Sequence, residues 1–276
     1  MLFRSDFKKV LAAFLVVFVA VDIFLGVQWV QEYPFSDNRT TDQQILDEMS
    51  DDGISYGKLS QTRHTGSYLA GKSGKQELAN QQKELKSGWQ SLFSDDQLVV
   101  IPATDVQLGT DEDSDRLALD KLVAKDNRVI KGDEYQYSQK MTELVRAKEN
   151  TSAKLYAYVE KVPSDNHTLV TGQAQIVFEV DSKHRLQKYE QQYVNQLQFL
   201  RDDMQLISEK QALINLYQYN ELPNNSTVKM SKLGYAPLTT VKDDIIFIPV
   251  WQFLVETSNK ETTLITVNAI NGSIMK

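Results

Sequence analysis

The chain has 276 residues, of which 41% are hydrophobic and 24% are charged, and its net charge is −7 at pH 7. This composition is typical of a globular protein and excludes wholesale disorder, a collagen-like repeat and a polytopic membrane protein. The acidic balance argues against a nucleic-acid-binding protein, because phosphate neutralisation requires basic clusters. Cysteine is absent and only three histidines occur. Disulfides and thiolate metal sites are thereby excluded, and a multi-histidine metal site is disfavoured.

The N-terminal part of the sequence predicts a membrane-spanning helix over residues 10–30, VLAAFLVVFVAVDIFLGVQWV. At 1.5 Å rise per residue this span matches the hydrocarbon core, which is roughly 30 Å thick. A cleavable signal peptide is the alternative, but its apolar stretch is typically about 7–15 residues and ends in small residues. Here QWVQEYPFSD follows, so we predict an uncleaved anchor. The basic residues before the span predict that residues 1–9 are cytoplasmic and residues 31–276 extracytoplasmic.

One stripe of the predicted span is the candidate for contact with a partner helix. Helical spacing places five residues on it: Leu11, Leu15, Phe18, Asp22 and Gly26. A central carboxylate in a membrane costs about 2.5–3.5 kcal/mol on insertion scales, whereas Gly26 would permit close helix approach. Asp22 is either a polar contact to a partner helix or a protonated or snorkelling side chain near the outer interface, and both interpretations stay open.

Helices alternate with a strand in the first part of the predicted extracytoplasmic chain. Helical spacing or cap signals predict helices over about 40–49, 74–87 and 114–126. The apolar run LVVIPATDVQL within residues 97–108 predicts a strand.

Strand signals dominate the rest of the chain. EYQYSQKMTELVR alternates aromatic and polar residues and predicts a strand, as do KLYAYVEKV and TLVTGQAQIVFEV. HRLQKYEQQYVNQLQFL fits either a strand or a helix. Ser208 and Gln211 match a capping box and predict the start of a helix. Three strands over about 226–238, 244–257 and 262–269 close the chain.

The order strand, helix and three-stranded meander occurs twice, over about 97–180 and again over about 185–270. We therefore predict an α+β fold in which helices pack on antiparallel sheets. This pattern places an N-terminal subdomain at residues 31–183 and a C-terminal subdomain at residues 184–276. Trp251, in the alternating stretch FIPVWQFLV, is predicted to be a structural residue of a strand paired on both sides.

A P-loop match occurs at residues 66–73, GSYLAGKS, from Gly66 to Ser73. In a P-loop the glycines let backbone N–H groups wrap phosphate and the lysine neutralises it. Such a loop follows a buried apolar strand, whereas the polar KLSQTRHT precedes this match. We therefore expect no nucleotide here, and interpret Ser73 as the cap of the following helix.

The acidic run DEDSD, residues 111–115, resembles the start of a calcium loop. Arg116 and Leu122 stand where such a loop needs Gly and Glu, so we interpret the run as an acidic helix N-terminus. His167 and His184 are expected to be solvated. Neither a Ser-His-Asp order nor a paired-carboxylate spacing stands out, and we expect no enzyme, no cofactor and no metal.

Short sequences at both ends of the chain carry a resemblance to a known family. They are the start FKKV, a polar residue before IFL in the anchor, and the C-terminal stretches PVWQFLV and VNAINGSI. This layout resembles the YycI family over essentially the full chain. The C-terminal piece is also similar to PepSY-like modules, which end in a Pro-x-Trp strand and an Asn-Ala-x-x-Gly hairpin. The matching residues are Pro249, Trp251, Asn268, Ala269 and Gly272.

The resemblance implies a PepSY-like, YycH-like extracytoplasmic fold and a regulatory function. YycI proteins are accessory membrane proteins of Gram-positive bacteria. With the related protein YycH they modulate the WalK (YycG) sensor histidine kinase, which governs cell-wall metabolism. The implied contacts run through transmembrane helices, with the ectodomains also participating. The alternative is an extracytoplasmic binding module that recognises a wall fragment or peptide by itself.

Overall fold

The computed structural model describes most of the chain, namely residues 15, 17–25, 38–85, 87–94, 96–125, 127–149, 151–163, 167–242 and 244–275. The chain divides into two compact units, Met1–Asp47 and Glu48–Lys276. In the first unit, residues 15 and 17–25 form helix α1. Within the described ranges, no helix is both long and apolar enough to cross a membrane. The other residues of the predicted span, 10–14, 16 and 26–30, lie outside the described residues.

The second unit contains most of the remaining secondary structure. The further helices are α2 Asn38–Asp51, which starts in the first unit, α3 Lys75–Gln81, α4 Glu112–Val123, α5 Gln139–Lys148 and α6 Glu209–Gln218. The strands are β1 Thr65–Gly66, β2 Leu69–Ser73, β3 Gln90–Ser94, β4 Gln97–Ile101, β5 Val106–Gln107, β6 Tyr135–Tyr137, β7 Lys154–Glu160, β8 Gln175–Val180, β9 Arg185–Gln191, β10 Val194–Phe199, β11 Met204–Gln205, β12 Thr227–Val241, β13 Asp244–Glu256, β14 Thr262–Asn268 and β15 Ile274–Met275.

The first sheet comprises seven strands among the described residues. Its order is β3-β4-β9-β8-β7-β6, with β5 paired to β9, and its pairs are antiparallel. Because side chains alternate between the faces of a strand, one face carries a row of buried aromatic residues. These are Tyr156, Tyr158, Phe178 and Tyr189. They share a core with Leu119 and Leu122 of α4, so this helix covers that face of the sheet.

The second sheet, of six strands within the described part, is built around β13. Its order is β10-β2-β13-β14-β15, with β12 also paired to β13. β12 runs along one side of β13, while β2 and β14 share the other side. Every residue from Phe247 to Val255 is buried. Trp251 is 5% exposed and its Nε1–H donates to the carbonyl of Ile207 at 2.9 Å. The predicted buried position of Trp251 is confirmed.

The predicted α+β class is confirmed. Each of the two large sheets contains three neighbouring antiparallel strands that follow a helix in the chain. α5 precedes three antiparallel neighbours, β7, β8 and β9, and α6 precedes β12, β13 and β14. The predicted boundary between residues 183 and 184 falls in the connection between β8 and β9, which pair with each other. β2, from early in the chain, pairs with β10 and β13 of the second sheet.

Two segments differ from the strands predicted for them. EYQYSQKMTELVR forms the short strand β6 and then α5, because the Ser138 hydroxyl accepts a hydrogen bond from the N–H of Met141 at 3.3 Å and caps the helix. Met141 and Leu144 are buried at helical spacing, so the alternation ends at Tyr137. Residues 97–108 form two strands, β4 and β5, rather than one. HRLQKYEQQYVNQLQFL forms β9 and β10, so its strand interpretation is correct.

Candidate functional site

The predicted transmembrane stripe is partly described. Leu15, Phe18 and Asp22 lie in α1, where spacings of three and four residues place them on one helix face. Leu15 is 66% and Phe18 67% exposed. Leu11 and Gly26 lie outside the described residues. The other apolar side chains of α1 are exposed as well: Val17, Val19, Val21, Ile23, Phe24 and Leu25.

The P-loop match is strand rather than an open loop. Gly71 and Lys72 lie within β2 and pair with β13, so their backbone belongs to a sheet. A Cβ atom on Gly71 would lie 2.5 Å from Cγ1 of Val194, and this packing explains the glycine. The Lys72 Nζ lies 3.8 Å from the Asp244 carboxylate. The prediction that Ser73 caps α3 is wrong, because β2 extends through Ser73 and Gly74 takes the N-cap position.

The acidic run at residues 111–115 is the N-terminus of α4, as predicted. The Asp111 carboxylate accepts a hydrogen bond from the N–H of Ser114 at 2.8 Å, and the Ser114 hydroxyl accepts one from the N–H of Asp111 at 3.1 Å. The bond from Ser114 lowers the pKa of Asp111. Within the part of the chain that the structure describes, no group of three or more His, Asp or Glu side chains is placed to hold a metal ion.

His184 is not solvated as predicted, because it contacts a buried carboxylate. Its Nδ1 lies 2.6 Å from the Oδ2 of Asp115, a side chain with no exposed surface. Asp115 also accepts hydrogen bonds from the Gly109 N–H at 3.0 Å and the Tyr156 hydroxyl at 3.1 Å. This cluster ties α4 to the first sheet. His167 is half-buried, and its ring centroid lies 6.3 Å from that of Tyr235 in an edge-to-face arrangement.

A cavity of about 460 Å³ lies between α5 and the two large sheets, and we name it the α5 cleft. Ligand pockets typically measure about 300–1,000 Å³, so its size suits a small ligand. Helix α5 contributes one face, with side chains three or four residues apart: Met141, Leu144, Val145 and Lys148. The first sheet contributes outward-facing side chains of β8 and β9: Gln175, Val177, Glu179, Lys188 and Glu190. The second sheet contributes Ala236, Pro237, Gln252 and Leu264.

The polar side chains of the α5 cleft differ in the hydrogen bonds and ion pairs that hold them. The Nζ of Lys188 lies 2.7 Å from Glu190 and 3.4 Å from Glu179, and the hydrogen bond to Glu190 raises the pKa of Lys188. The Gln252 side chain is 8% exposed, and its Nε2 donates to the Val170 carbonyl at 3.1 Å. The Oε1 of Gln175 is buried and has no hydrogen-bond partner among the described residues. The cleft therefore combines apolar side chains of α5 with paired charges and amide groups of the sheets.

A second polar cluster joins the two sheets away from the cleft. Glu160, at the end of β7, accepts a hydrogen bond from the N–H of Val194 in β10 at 3.0 Å. Burial raises the pKa of Glu160 to about 8, although the bond from Val194 acts against this shift. Nearby, Lys131 forms ion pairs with Glu77 at 2.9 Å and with Glu134 at 3.1 Å. The position between two packed sheets gives this cluster a structural role.

Comparison with known proteins identifies the family. The family model described as "YycI protein" matches residues 34–270, which is most of the chain. The chain belongs to the YycI family. This family is associated with the YycG/WalK two-component regulatory system, as a regulatory accessory of the kinase. No curated protein sequence matches this YycI-family chain. A solved structure of an uncharacterized protein from Eubacterium rectale is similar, with 9% identity, a TM-score of 0.46, and coverage of 82% of this chain and 91% of that chain.

The residues that line the α5 cleft of this YycI-family protein are not among the candidate site residues predicted from the sequence. The reason is local: the segment that forms α5 was predicted to be a strand, and a strand would not place Met141 and Leu144 on one face. The spacing Met141, Leu144, Val145 and Lys148 was the available signal, since it repeats at the helical period. The contributions of β8 and Gln252 depend on how the sheets pack, which spacing along one segment does not reveal.

Proposed function

We propose that this YycI-family chain is a membrane-anchored regulatory protein that modulates the WalK (YycG) sensor histidine kinase, together with a YycH-like protein. Family membership supports the kinase system. The observation that carries the anchoring is α1, which exposes apolar side chains around its whole circumference. Exposed apolar surface of this extent marks contact with a membrane or a partner protein. In this proposal the protein is not an enzyme; it acts by contact in a Gram-positive cell and so influences cell-wall metabolism.

The proposed topology determines how the signal passes. In the proposed topology residues 1–9 are cytoplasmic and residues 31–276 are outside the cell. We propose that the influence on the kinase runs through the membrane helix or through the partner's extracytoplasmic part. On the stripe, Asp22 is the polar side chain that forms a hydrogen bond with a partner helix in this proposal. Such interhelical bonds average about 0.6 kcal/mol and reach about 1.7, so helix packing supplies the rest of the association.

The test compares two faces of one helix by kinase-dependent reporter output in cells. Phe18 lies on the stripe and Phe24 on the opposite face, and their exposures of 67% and 62% are similar. Phe18→Ala should change regulation, whereas the matched Phe24→Ala should not. Asp22→Leu should weaken regulation modestly, and an unrelated apolar helix in place of residues 10–30 should weaken it most. Surface abundance of each variant is checked by immunoblot.

One result would contradict the route through the membrane helix, and another would contradict the anchoring. If the replaced helix regulates as well as the native one at equal abundance, α1 is only a tether and the extracytoplasmic part does the recognising. If the mature N-terminus begins after residue 26, the anchor is cleaved. Protease added to intact protoplasts should digest the chain beyond about residue 31 when the topology is as proposed.

The alternative function, an extracytoplasmic module that binds a wall fragment or peptide by itself, is favoured by the α5 cleft. The size of this cleft lies in the range of ligand pockets, and apolar side chains of α5 line it together with polar and charged side chains of the sheets. Ligand binding by the purified chain without the kinase would support this alternative. The two functions are compatible in one protein, since a bound ligand can change how a regulator contacts its partner.

A further inference from the structure

Three successive residues at the start of β10, residues 193–195, each donate a hydrogen bond to a different glutamate. The pairs are the Tyr193 hydroxyl to Glu134 at 2.7 Å, the Val194 N–H to Glu160 at 3.0 Å, and the Asn195 side-chain amide to Glu77 at 2.8 Å. The glutamates come from the turn before β6, the end of β7 and α3. Carboxyl groups therefore hold the chain at the point where it leaves the first sheet for the second.

A single lysine pairs with these carboxyl groups among the described residues. Lys131 forms ion pairs with Glu77 at 2.9 Å and with Glu134 at 3.1 Å, and Glu160 has no ion pair there. The side chains of Glu77 and Glu134 are 28% and 39% exposed, whereas Glu160 is 1% exposed. A charge on Glu160 would therefore lie out of contact with water beside two carboxylates that share one cation. The fold for this reason favours a protonated Glu160.

Glu160 changes its charge near pH 8, whereas the neighbouring lysine and tyrosines keep theirs. The titratable groups around it are Glu77 of α3, Lys131 and Glu134 of the turn before β6, Tyr135 of β6, and Tyr193. Burial raises the pKa of Glu160 to about 8, and the charge of Glu134 adds to this shift. Burial also raises the pKa of both tyrosines, so they stay neutral. Burial acts to lower the pKa of the lysine, but its hydrogen bonds to the cluster outweigh burial and raise it.

β10 is the strand that this cluster can release. Among the described strands it pairs with β2 alone, so it is an edge of the second sheet. Its pairing shifts register between Asn195 and Gln198, and Gln196 adopts a left-handed backbone conformation with φ 58°. The first two residue pairs of the strand are thereby separated from the rest of the ladder. The start of β10 depends on the glutamates more than a central strand would, and an edge segment of this kind opens locally.

We propose that residues 193–195 and their three glutamates form a pH-operated latch, closed while Glu160 is protonated and opened when Glu160 gives its proton to water. Opening hydrates the new carboxylate and moves it away from the charge of Glu134. Because the pKa of Glu160 is about 8 when closed and the ordinary value is 4.5, the opening constant rises about tenfold per pH unit between these values and then levels off. The latch goes beyond the proposed regulation of the kinase and is measured on the chain alone, so either can fail separately.

The absence of cysteine makes thiol labelling a direct measure of opening. Val194→Cys introduces one thiol at a position that is 1% exposed, in the full chain in lipid nanodiscs. The rate of its reaction with a disulfide reagent is divided by the rate of the urea-unfolded chain at the same pH, which removes the titration of the thiol. This normalised rate should rise about fiftyfold between pH 6 and pH 8 and then level off. It should be insensitive to urea up to about 1 M, because local opening exposes little surface.

Variants then test whether the charge of Glu160 operates the latch. Glu160→Gln keeps a neutral acceptor for the N–H of Val194 and should abolish the rise. Lys131→Met removes a charge that favours the carboxylate, so the curve should level off at a higher pH. Glu134→Gln removes a charge that opposes the carboxylate, so the curve should level off at a lower pH. Glu143→Gln, on the exposed surface of α5, is the matched control and should leave the curve unchanged.

Amide hydrogen exchange of the unsubstituted chain gives a second reading that needs no cysteine. Protection of residues 193–199, measured by mass spectrometry and corrected for the intrinsic exchange rate, should fall by the same factor over the same pH range. A flat labelling rate in folded Val194→Cys, together with unchanged protection, would overturn the proposal. So would a rise that persists in Glu160→Gln, since another group would then be the trigger. A labelling rate that increases steeply with urea would show global unfolding and not a local latch.

Discussion

The two large sheets of the compact second unit use their faces differently, and a further sheet of two strands pairs β1 with β11. In the second sheet, the central strand β13 is buried on both faces from Phe247 to Val255. In the first sheet, one face of β8 is buried in the aromatic core while Gln175, Val177 and Glu179 point to the α5 cleft. Burial on both faces leaves a strand available only for stability, whereas a strand with one covered face can present side chains to a ligand. We therefore expect stability to concentrate in the second sheet and recognition on the outer face of the first.

The largest effect should come from Trp251→Ala in β13. Truncation of a buried aromatic side chain typically costs about 3–5 kcal/mol, and here it also leaves the Ile207 carbonyl without its hydrogen bond from Nε1. The free energy of unfolding, measured by urea denaturation, should fall by this amount. Leu92→Ala, on the exposed strand β3 of the first sheet, is the control and should change stability by less than about 0.5 kcal/mol. An unchanged melt with lost partner binding would instead place Trp251 at an interface.

The next largest effect should appear as pH dependence at the junction between the sheets. The pKa of Glu160 is about 8 in the folded chain against an ordinary 4.5, so folding favours its neutral form. Its contribution to stability is fully present below pH 4.5 and is lost as the pH rises to about 8. The slope in this window is up to about 1.4 kcal/mol per pH unit.

Glu160→Gln keeps a neutral acceptor for the N–H of Val194 and should remove this slope. The variant should be more stable than the parent at pH 8, as measured by urea denaturation across the pH range. Glu143→Gln, on the exposed surface of α5, should retain the parent's slope. Equal pH profiles for the parent and Glu160→Gln would show that the junction does not depend on the protonation of Glu160.

A smaller effect should test how α4 is attached to the first sheet. Asp115→Asn replaces one carboxylate oxygen with an NH₂ donor. In the Oδ1 position this donor opposes the N–H of Gly109, and in the Oδ2 position it displaces the acceptor shared by the Tyr156 hydroxyl and the His184 ring. A buried group left unsatisfied costs about 1–3 kcal/mol, so the melting temperature should fall. Asp113→Asn, on the exposed side of the same helix turn, should be nearly neutral. If both changes have the same small effect, the buried cluster does not hold the helix.

Local patterns predicted the elements whose signals lie within one segment. The cap at Ser208 is present, with its hydroxyl accepting from the N–H of Gln211 at 3.2 Å, and the alternating stretch around Trp251 is a buried strand. The strand interpretation of the α5 segment failed because Tyr135 and Tyr137 alternate just before a helix whose cap, Ser138, resembles any polar residue of a strand. The contact of His184 with Asp115 joins residues 69 positions apart, which no local pattern can reveal. The α5 cleft was not predicted, because the α5 segment was interpreted as a strand and because the other walls of the cleft come from residues that are distant in the chain.

The smallest effect compares the serines that cap the two helices before the meanders. Ser138→Ala and Ser208→Ala each remove an N-cap hydroxyl, which typically costs about 1 kcal/mol. Ser138 also accepts a hydrogen bond from the Nζ of Lys232 at 2.9 Å. Ser138→Ala should therefore cost about 1 kcal/mol more than Ser208→Ala near neutral pH, as measured by urea denaturation.

The origin of this excess can be checked through Lys232. Burial, together with the nearby Lys140, lowers the pKa of Lys232 to about 8, so the ammonium that needs the Ser138 acceptor is present below that pH and is neutralised above it. The excess cost of Ser138→Ala should therefore shrink as the pH rises past about 8. It should also vanish in a Lys232→Met background, since a double-mutant cycle isolates the pairwise contribution. If Ser138→Ala still costs more than Ser208→Ala in the Lys232→Met background, the extra cost does not come from Lys232. The first meander would then depend more strongly on the cap of its helix than the second meander does.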